Sequence, residues 1–171
     1  MKELPNPTFA LSPVQLPRGS LHPGSSNTSV EFLPRRVQGT IEVSWAKHQD
    51  EIREAQRLRY AVFATELGAR LPQTVPGHDI DLFDDYCEHL LVRDSVSGEV
   101  IGTYRVLTPA QAKRAGSTYS DTEFDLTRLR ALRPRMVELG RSCVHPDFRH
   151  GGVIMALWGA LAEFMVRNDL D

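Results

Sequence analysis

The sequence predicts an α/β (more narrowly α+β) domain: a mixed central sheet flanked by helices and lacking its last strands. Three observations carry that prediction. A segment of period two is followed directly by one of helical period. A strand–turn–strand pattern occupies the middle of the chain. A last strand then runs through a glycine-containing loop into a clear helix.

Residues 1–38 stand apart from this pattern. Six of the 11 prolines lie there, with a polar run from Ser25 to Ser29 between them. Such a stretch buries too little apolar surface to offset its ordering entropy. It reads as a flexible tail, and residues 39–171 as the folded domain.

The first strand is set by Ile41, Val43 and Trp45 alternating with Glu42 and Ser44. Asp50 reads as the N-cap of a helix carrying Ile52, Ala55, Leu58 and Val62, with Gly68 as its stop. An acidic loop over 69–87 holds Pro72, Pro76, Gly77, Asp79, Asp81, Asp84 and Asp85. A hairpin follows, with strands His89–Asp94 and Glu99–Leu107 joined at Ser95–Gly98. Thr108-Pro109-Ala110-Gln111 forms a capping box with proline at the first helical position, and that helix ends near Gly116. A further helical turn starts at Ser120–Glu123 and runs on through Leu126 and Leu129. Arg135–Val144 reads as a strand, and the closing helix has Ile154, Leu157, Leu161, Phe164 and Met165 as its apolar positions. A further strand is expected where the chain stops at Asp171, which suggests a truncated polypeptide.

Composition narrows the function. The chain of 171 residues has 41% apolar and 25% charged residues and a formal net charge of -2. A general nucleic-acid binder carries a large positive excess instead. No apolar run approaches the roughly 20 residues of a membrane span, and no secretory signal is visible. Two cysteines, Cys87 and Cys143, are too few for a disulfide scaffold and too far apart for a metal knuckle. They read as reduced thiols of a cytoplasmic protein.

The segment Val144 to Leu157 is strand, polar loop, helix. Unpaired amides and the macrodipole make a helix N-terminus a phosphate site. Gly151 and Gly152 allow close approach, and Arg149 adds a charge-assisted contact. A plain strand-to-helix turn with a solvated Arg149 accounts for the same composition.

The string Val144-His145-Pro146-Asp147-Phe148-Arg149-x-x-Gly152 resembles the acyl-donor motif of the GNAT superfamily, Val-x-x-x-x-Arg/Gln-x-x-Gly-x-Gly/Ala. Ile154 replaces the last small residue. Bulk there hinders a pyrophosphate more than the single phosphate of a carrier-protein arm. Upstream, Arg59-x-x-x-Phe63, Asp81-x-x-Asp84, Arg105 and Glu138-x-x-Arg141 resemble the signature of acyl-homoserine-lactone synthases. The longer strings Arg59-Tyr60-Ala61-Val62-Phe63, Asp79-Ile80-Asp81-Leu82-Phe83-Asp84, Glu88-His89-Leu90, Gly102-Thr103-Tyr104-Arg105 and Glu138-Leu139-Gly140-Arg141-Ser142-Cys143-Val144-His145-Pro146 resemble the L-ornithine N-alpha-acyltransferase family still more closely.

The resemblance implies a GNAT-like fold and transfer of a 3-hydroxyacyl group from acyl carrier protein to the alpha-amino group of L-ornithine, the first step of ornithine lipid synthesis. By the same resemblance the donor substrate would be the acyl-phosphopantetheine of that carrier protein, with no metal and no bound cofactor expected. Glu138, Arg141 and Arg105 are then the catalytic candidates, with Glu138 as base. Arg149, Gly151 and Gly152 would hold the donor phosphate. Arg59, Phe63, Asp81 and Asp84 would bind the acceptor or fix the loop by ion pairs. Arg128, Arg130, Arg133 and Arg135 would meet an acidic carrier protein or form a solvated basic turn. A lipid product leaves peripheral membrane contact open.

Residues three apart in a regular strand face opposite sides. Glu138 and Arg141 therefore share a face only across an irregularity, for which Gly140 is the expected bulge. Backbone amides near Leu139–Arg141 would then be free for the developing oxyanion. The competing readings are another N-acyl amino acid synthase (an acyl-homoserine-lactone synthase among them), a GNAT using acetyl-coenzyme A, and an inactive fragment or carrier-protein-binding module.

Overall fold

The computed structural model describes residues 40–71 and 75–170. The tail expected over 1–38 lies outside them, as does Pro72. Strand β1 (Ile41–Trp45) is followed by helix α1 (Gln49–Tyr60). Strands β2 (Glu88–Asp94) and β3 (Val100–Leu107) form the expected hairpin. Helices α2 (Pro109–Ala115) and α3 (Ser120–Glu123) precede strand β4 (Glu138–Val144) and helix α4 (Gly152–Arg167).

The sheet order is β1-β2-β3-β4, and every pairing is antiparallel. The parallel pairing that a mixed sheet requires is not found among the described strands. Several boundaries also shift. Helix α1 starts at Gln49 rather than after Asp50, because Glu51 turns back to accept the amides of Lys47 and His48 at 2.7 and 3.1 Å. Strand β4 starts at Glu138 rather than Arg135: the amides of Arg135 and Met136 both bond back to the Leu132 carbonyl at 3.0 Å, so they cannot join a ladder. The helical turn at Ser120 stops at Glu123 and resumes as a 3₁₀ turn over Thr127–Leu129. The Thr108–Gln111 capping box forms as read, and Gly116 ends α2 at φ 88°.

Two helices cover opposite faces of the sheet. Leu58 and Val62 pack against Cys143, which pairs with Thr103. Val153, Leu157 and Leu161 of α4 pack against Leu90, Val92 and Val106. Gly102, next to Thr103, lies under α4, and a Cβ there would meet Val153 Cγ1 at 2.5 Å. Adjacent strand residues point to opposite faces, so the alternation Gly102/Thr103 sets α4 on one side and α1 on the other. Ile154, read as a core position, is 38% exposed, and its neighbour Val153 takes the core place.

Strand β4 carries the bulge. From Thr103 to Arg105 strand β3 advances two residues, while β4 retreats three, from Cys143 to Gly140. Arg141 and Ser142 thus oppose Tyr104 together. The residue with positive φ is Arg141, at 52°, and not Gly140. The extra residue places Glu138, opposite Leu107, on the α1 face with Thr103 and Arg105.

Candidate active site

Between α1 and the sheet the acidic loop brings three aspartates against three arginines. Arg59, the largest fully buried side chain, comes from α1. Its Nε lies 3.0 Å from Asp79 Oδ2, and its Nη2 donates to Asp84 Oδ2 at 2.7 Å. Arg105 of β3 reaches Asp81 Oδ1 at 2.6 Å and Asp84 Oδ1 at 3.1 Å. Arg141 enters from the bulge, with Nε 3.1 Å from Asp79 Oδ2 and Nη2 3.1 Å from Asp81 Oδ2. Gln56 Nε2 adds a bond to Asp84 Oδ2 at 3.0 Å. Asp81 and Asp84 therefore spend their oxygens on arginines and tie the loop to α1, β3 and β4.

The electrostatics follow from this geometry. Burial pushes the Asp84 carboxyl up, but Arg59 and Arg105 outweigh it and hold the group below its ordinary value. Burial pushes the His89 imidazole down, and its Nε2 shares a hydrogen bond of 3.0 Å with the Asp84 carbonyl. Burial also raises both thiols, Cys87 and Cys143, to about 12. Neither is a ready nucleophile.

Glu138 and Arg141 do not pair with each other. The Glu138 carboxylate accepts the Tyr119 amide at 2.8 Å, the Ser120 amide at 2.7 Å, and the Ser120 hydroxyl. The Arg141 guanidinium lies 4.9 Å from the centroid of the Tyr119 ring. Tyr119 thus links the two residues, donating through its backbone to one and facing the other with its ring. Arg133, read as part of a basic turn, forms a forked ion pair with Asp121.

A second feature lies on the other side of the bulge. An open cleft of about 380 Å³ is lined by Val62, Phe63 and Leu67, by Ser142–Val144 of β4, and by Phe148, Arg149, Gly151 and Ile154. Its first wall is a π-helical turn, Ala61–Glu66, that prolongs α1; such turns are frequent at functional sites. Its far end is the start of α4, where Gly151 has φ 100° and no side chain caps the terminus. The first amides of a 16-residue helix thus have no side-chain cap. Arg149 donates Nε to the Val144 carbonyl at 3.0 Å and both Nη groups to Glu66 at 2.6 Å. Those bonds hold the Glu66 carboxyl below its usual range.

Most residues named from the sequence divide between these two features, while Gly152 starts α4 outside the cleft lining and Glu138 stands apart. Phe63, Arg149 and Gly151 line the cleft, whereas Arg59, Asp81, Asp84, Arg105 and Arg141 build the charge cluster. Glu138 lies toward the far end of β4, against the start of α3. Asp79, Glu66 and Tyr119 were given no role from the sequence. Asp79 begins the string Asp79–Asp84, whereas Glu66 and Tyr119 carry no periodic or motif signal. Among the described residues, no group of three or more His, Cys, Asp or Glu side chains is placed to hold a metal ion.

Known proteins resemble this chain in sequence and in fold. The chain is 42% identical over 139 residues to the L-ornithine N(alpha)-acyltransferase of Rhodobacter capsulatus, covering 77% of this chain and 54% of that protein. It is 39% identical over 142 residues to the Brucella abortus protein of the same name, covering 78% and 50%. The chain thus spans about half the length of the curated relatives it matches. The fold is also that of the acyl-homoserine-lactone synthase LasI, with a TM-score of 0.56 at 19% identity over 77% of this chain and 69% of that one. BjaI, a CoA-dependent acyl-homoserine lactone synthase, gives 0.54 at 24% over 72% and 57%. Residues 58–159 match the model of the acetyltransferase (GNAT) domain, and with a bulged β4 opening on a glycine-led helix the chain belongs to the GNAT family.

Proposed function

We propose that the complete protein is an N-acyltransferase that moves a 3-hydroxyacyl group from the phosphopantetheine arm of acyl carrier protein to the alpha-amino group of L-ornithine. The observation that carries this reading is the cleft at the start of α4, together with 36–42% identity to curated L-ornithine N(alpha)-acyltransferases. The donor phosphate would sit on the amides after Gly151, beside Arg149. The pantetheine arm would then run past Ser142 toward the bulge. There Leu139 and Gly140 keep regular partners in β3, unlike the free Leu139–Arg141 stretch the sequence suggests, and the backbone of Arg141 and Ser142, which lack them, would offer donors to the oxyanion of the tetrahedral intermediate.

The alpha-ammonium must lose a proton before it attacks the thioester. Glu138 is the proposed acceptor of that proton. A carboxylate offers about four lone-pair positions, and Tyr119 and Ser120 fill three of them. One remains for the amine or an intervening water. The nitrogen then bonds to the carbonyl carbon and loses its second proton, the carbon–sulfur bond breaks, and the thiolate leaves on the carrier arm, taking up that proton through water to become the free thiol. Arg105 and Arg141 act as supports: each is paired to Asp81, and three arginines against three aspartates leave no net charge to draw either end of ornithine. Asp81 and Asp84 fix the loop in this reading.

The proposed setting is the cytoplasm, where free thiols such as Cys87 and Cys143 stay reduced. No helix among the described residues is long and apolar enough to cross a membrane. Contact with the membrane surface is proposed for release of the lipid product. Mass spectrometry of lipids from cells expressing the complete reading frame tests the reading. It expects a lyso-ornithine lipid that disappears in Glu138→Gln. An acyl-homoserine lactone instead would move the assignment to that synthase class, and no acylated product with any amino acid acceptor would remove the activity.

A further inference from the structure

Resting on the donor cleft proposed above, we propose that Glu66 is the internal counter-ion of the phosphate site. Its carboxylate holds the arginine fork that the donor needs, so donor binding is an exchange of one anion for another. The geometry of the guanidinium argues for it. Arg149 Nη1 donates to Glu66 Oε1 and Nη2 to Oε2, each at 2.6 Å, while Nε donates to the Val144 carbonyl at 3.0 Å. A guanidinium presents its N–H groups as a rigid fork with two usable edges. One edge faces Glu66 and the other is engaged with β4 through Nε. No parallel pair of N–H groups is left for a phosphate, which takes arginine bidentately. A donor phosphate gains that geometry only by displacing Glu66.

The exchange is close to balanced. The side chains of Arg149 and Glu66 are 42% and 34% exposed, so water screens their pair. The phosphodiester of a carrier-protein arm carries one negative charge, the same as the carboxylate. The uncapped amides of α4 favour an anion seated at the helix start. Glu66 is the last residue of the π-helical turn that walls the cleft, it is held by the cleft-lining Arg149, and Arg149 is common to both anions. Glu66 thereby sets how strongly the empty site competes with its own substrate, and with it the donor KM.

Steady-state kinetics of the complete protein test this, with a 3-hydroxyacyl carrier protein varied at saturating L-ornithine. Glu66→Gln removes the charge and keeps the shape. Its donor KM should fall by about two- to fivefold, the scale of an exposed ion pair, with a smaller change in kcat. The gain should shrink as salt rises. Arg149→Ala should raise the donor KM, and the Glu66→Gln gain should vanish in the double variant. If Arg149→Ala raises the donor KM while Glu66→Gln raises it or leaves it alone, Glu66 merely positions the arginine. The exchange is then overturned and the donor cleft stands. If Arg149→Ala leaves the donor KM unchanged, the donor-cleft reading itself fails, and the exchange with it. Thermal melts accompany each variant, and Glu66→Ala gives the same contrast should Glu66→Gln melt below the assay temperature.

Discussion

Arg59 and Asp84 meet at 2.7 Å with their side chains 1% and 2% exposed, so a full ion pair is carried between α1 and the sheet. Desolvating two charges is costly, and good geometry is needed to offset it. Here Asp84 is bonded at once by Arg59, Arg105 and Gln56. Neutralising Asp84 leaves Arg59 with Asp79 and Arg105 with Asp81 as their remaining carboxylates, so the buried cluster is one anion short. Asp84→Asn should therefore destabilise the fold by about 3–5 kcal/mol, read as a lower denaturant midpoint at unchanged slope. A loss below about 1 kcal/mol would mean that the cluster is solvated.

The same carboxyl gives the acid limb of stability a sign. Its folded pKa lies below the unfolded value, chiefly because Arg59 and Arg105 overcome the burial that pushes it up. The unfolded chain therefore binds the proton more readily. The contribution is complete above the ordinary carboxyl range, near pH 4, and drains away as pH falls from there through the folded value. Plots of unfolding free energy against pH should fall below about pH 4 in the parent chain. Asp84→Asn should flatten that limb, and equal slopes in both proteins would contradict the argument.

Gly102 tests the packing of α4 on the sheet. A methyl group there would stand 2.5 Å from Val153 Cγ1 and 3.5 Å from Leu157 Cδ1. A valine on a helix has little rotamer freedom with which to yield. Gly102→Ala should cost about 1–3 kcal/mol through overpacking, and pairing it with Val153→Ala should recover most of that loss. Failure of the second substitution to rescue the first would place the strain in the β3 backbone instead.

These positions also show what a one-dimensional reading reaches. Hydrophobic period and capping chemistry located β1, the hairpin, α2 and α4, because those signals are local: Thr108 and Gln111 cap each other within one turn. Pairing across long separations left no such trace. Asp81 and Arg141 are 60 residues apart, and Glu66 and Arg149 are 83 apart. The bulge was inferred from the spacing of Glu138 and Arg141, yet glycine was expected to carry it. Arg141 takes the positive φ instead, held there by Asp79, Asp81 and the Tyr119 ring. Tertiary bonds can stabilise a backbone state that propensity disfavours. The sequence also placed Ile154 in the core by period, whereas one residue of helix rotation gives that place to Val153.

Gly151 is a position where only the backbone is at stake. Its φ of 100° lies where side chains are disfavoured, while a Cβ there meets nothing within 4 Å. Gly151→Ala should therefore cost about 1–3 kcal/mol of local strain without a packing clash. The first turn of α4 should adjust and the donor KM should rise, while the acceptor KM changes little. Equal effects on both constants would show that the loop supports the whole site rather than the phosphate alone.

Ile154 bears on which donor the cleft accepts. It lines the cleft two residues after Gly152, where the GNAT motif has a small residue, and it is 38% exposed rather than packed away. A branched side chain at that point narrows the approach to the amides of α4. A pyrophosphate must bring two phosphates to that surface, whereas a carrier-protein arm brings one. Removing the branch should thus relieve the bulkier donor more. In Ile154→Ala, which removes three side-chain carbons, the ratio of kcat/KM for acyl-coenzyme A to that for acyl carrier protein should rise by about tenfold or more, tenfold being the low end of the discrimination available from one methylene of steric fit. Since the side chain is partly solvent-facing, its loss should leave the thermal midpoint within a few degrees. A ratio that stays fixed while both donors gain or lose together would assign donor choice to the protein–protein contact instead of to Ile154.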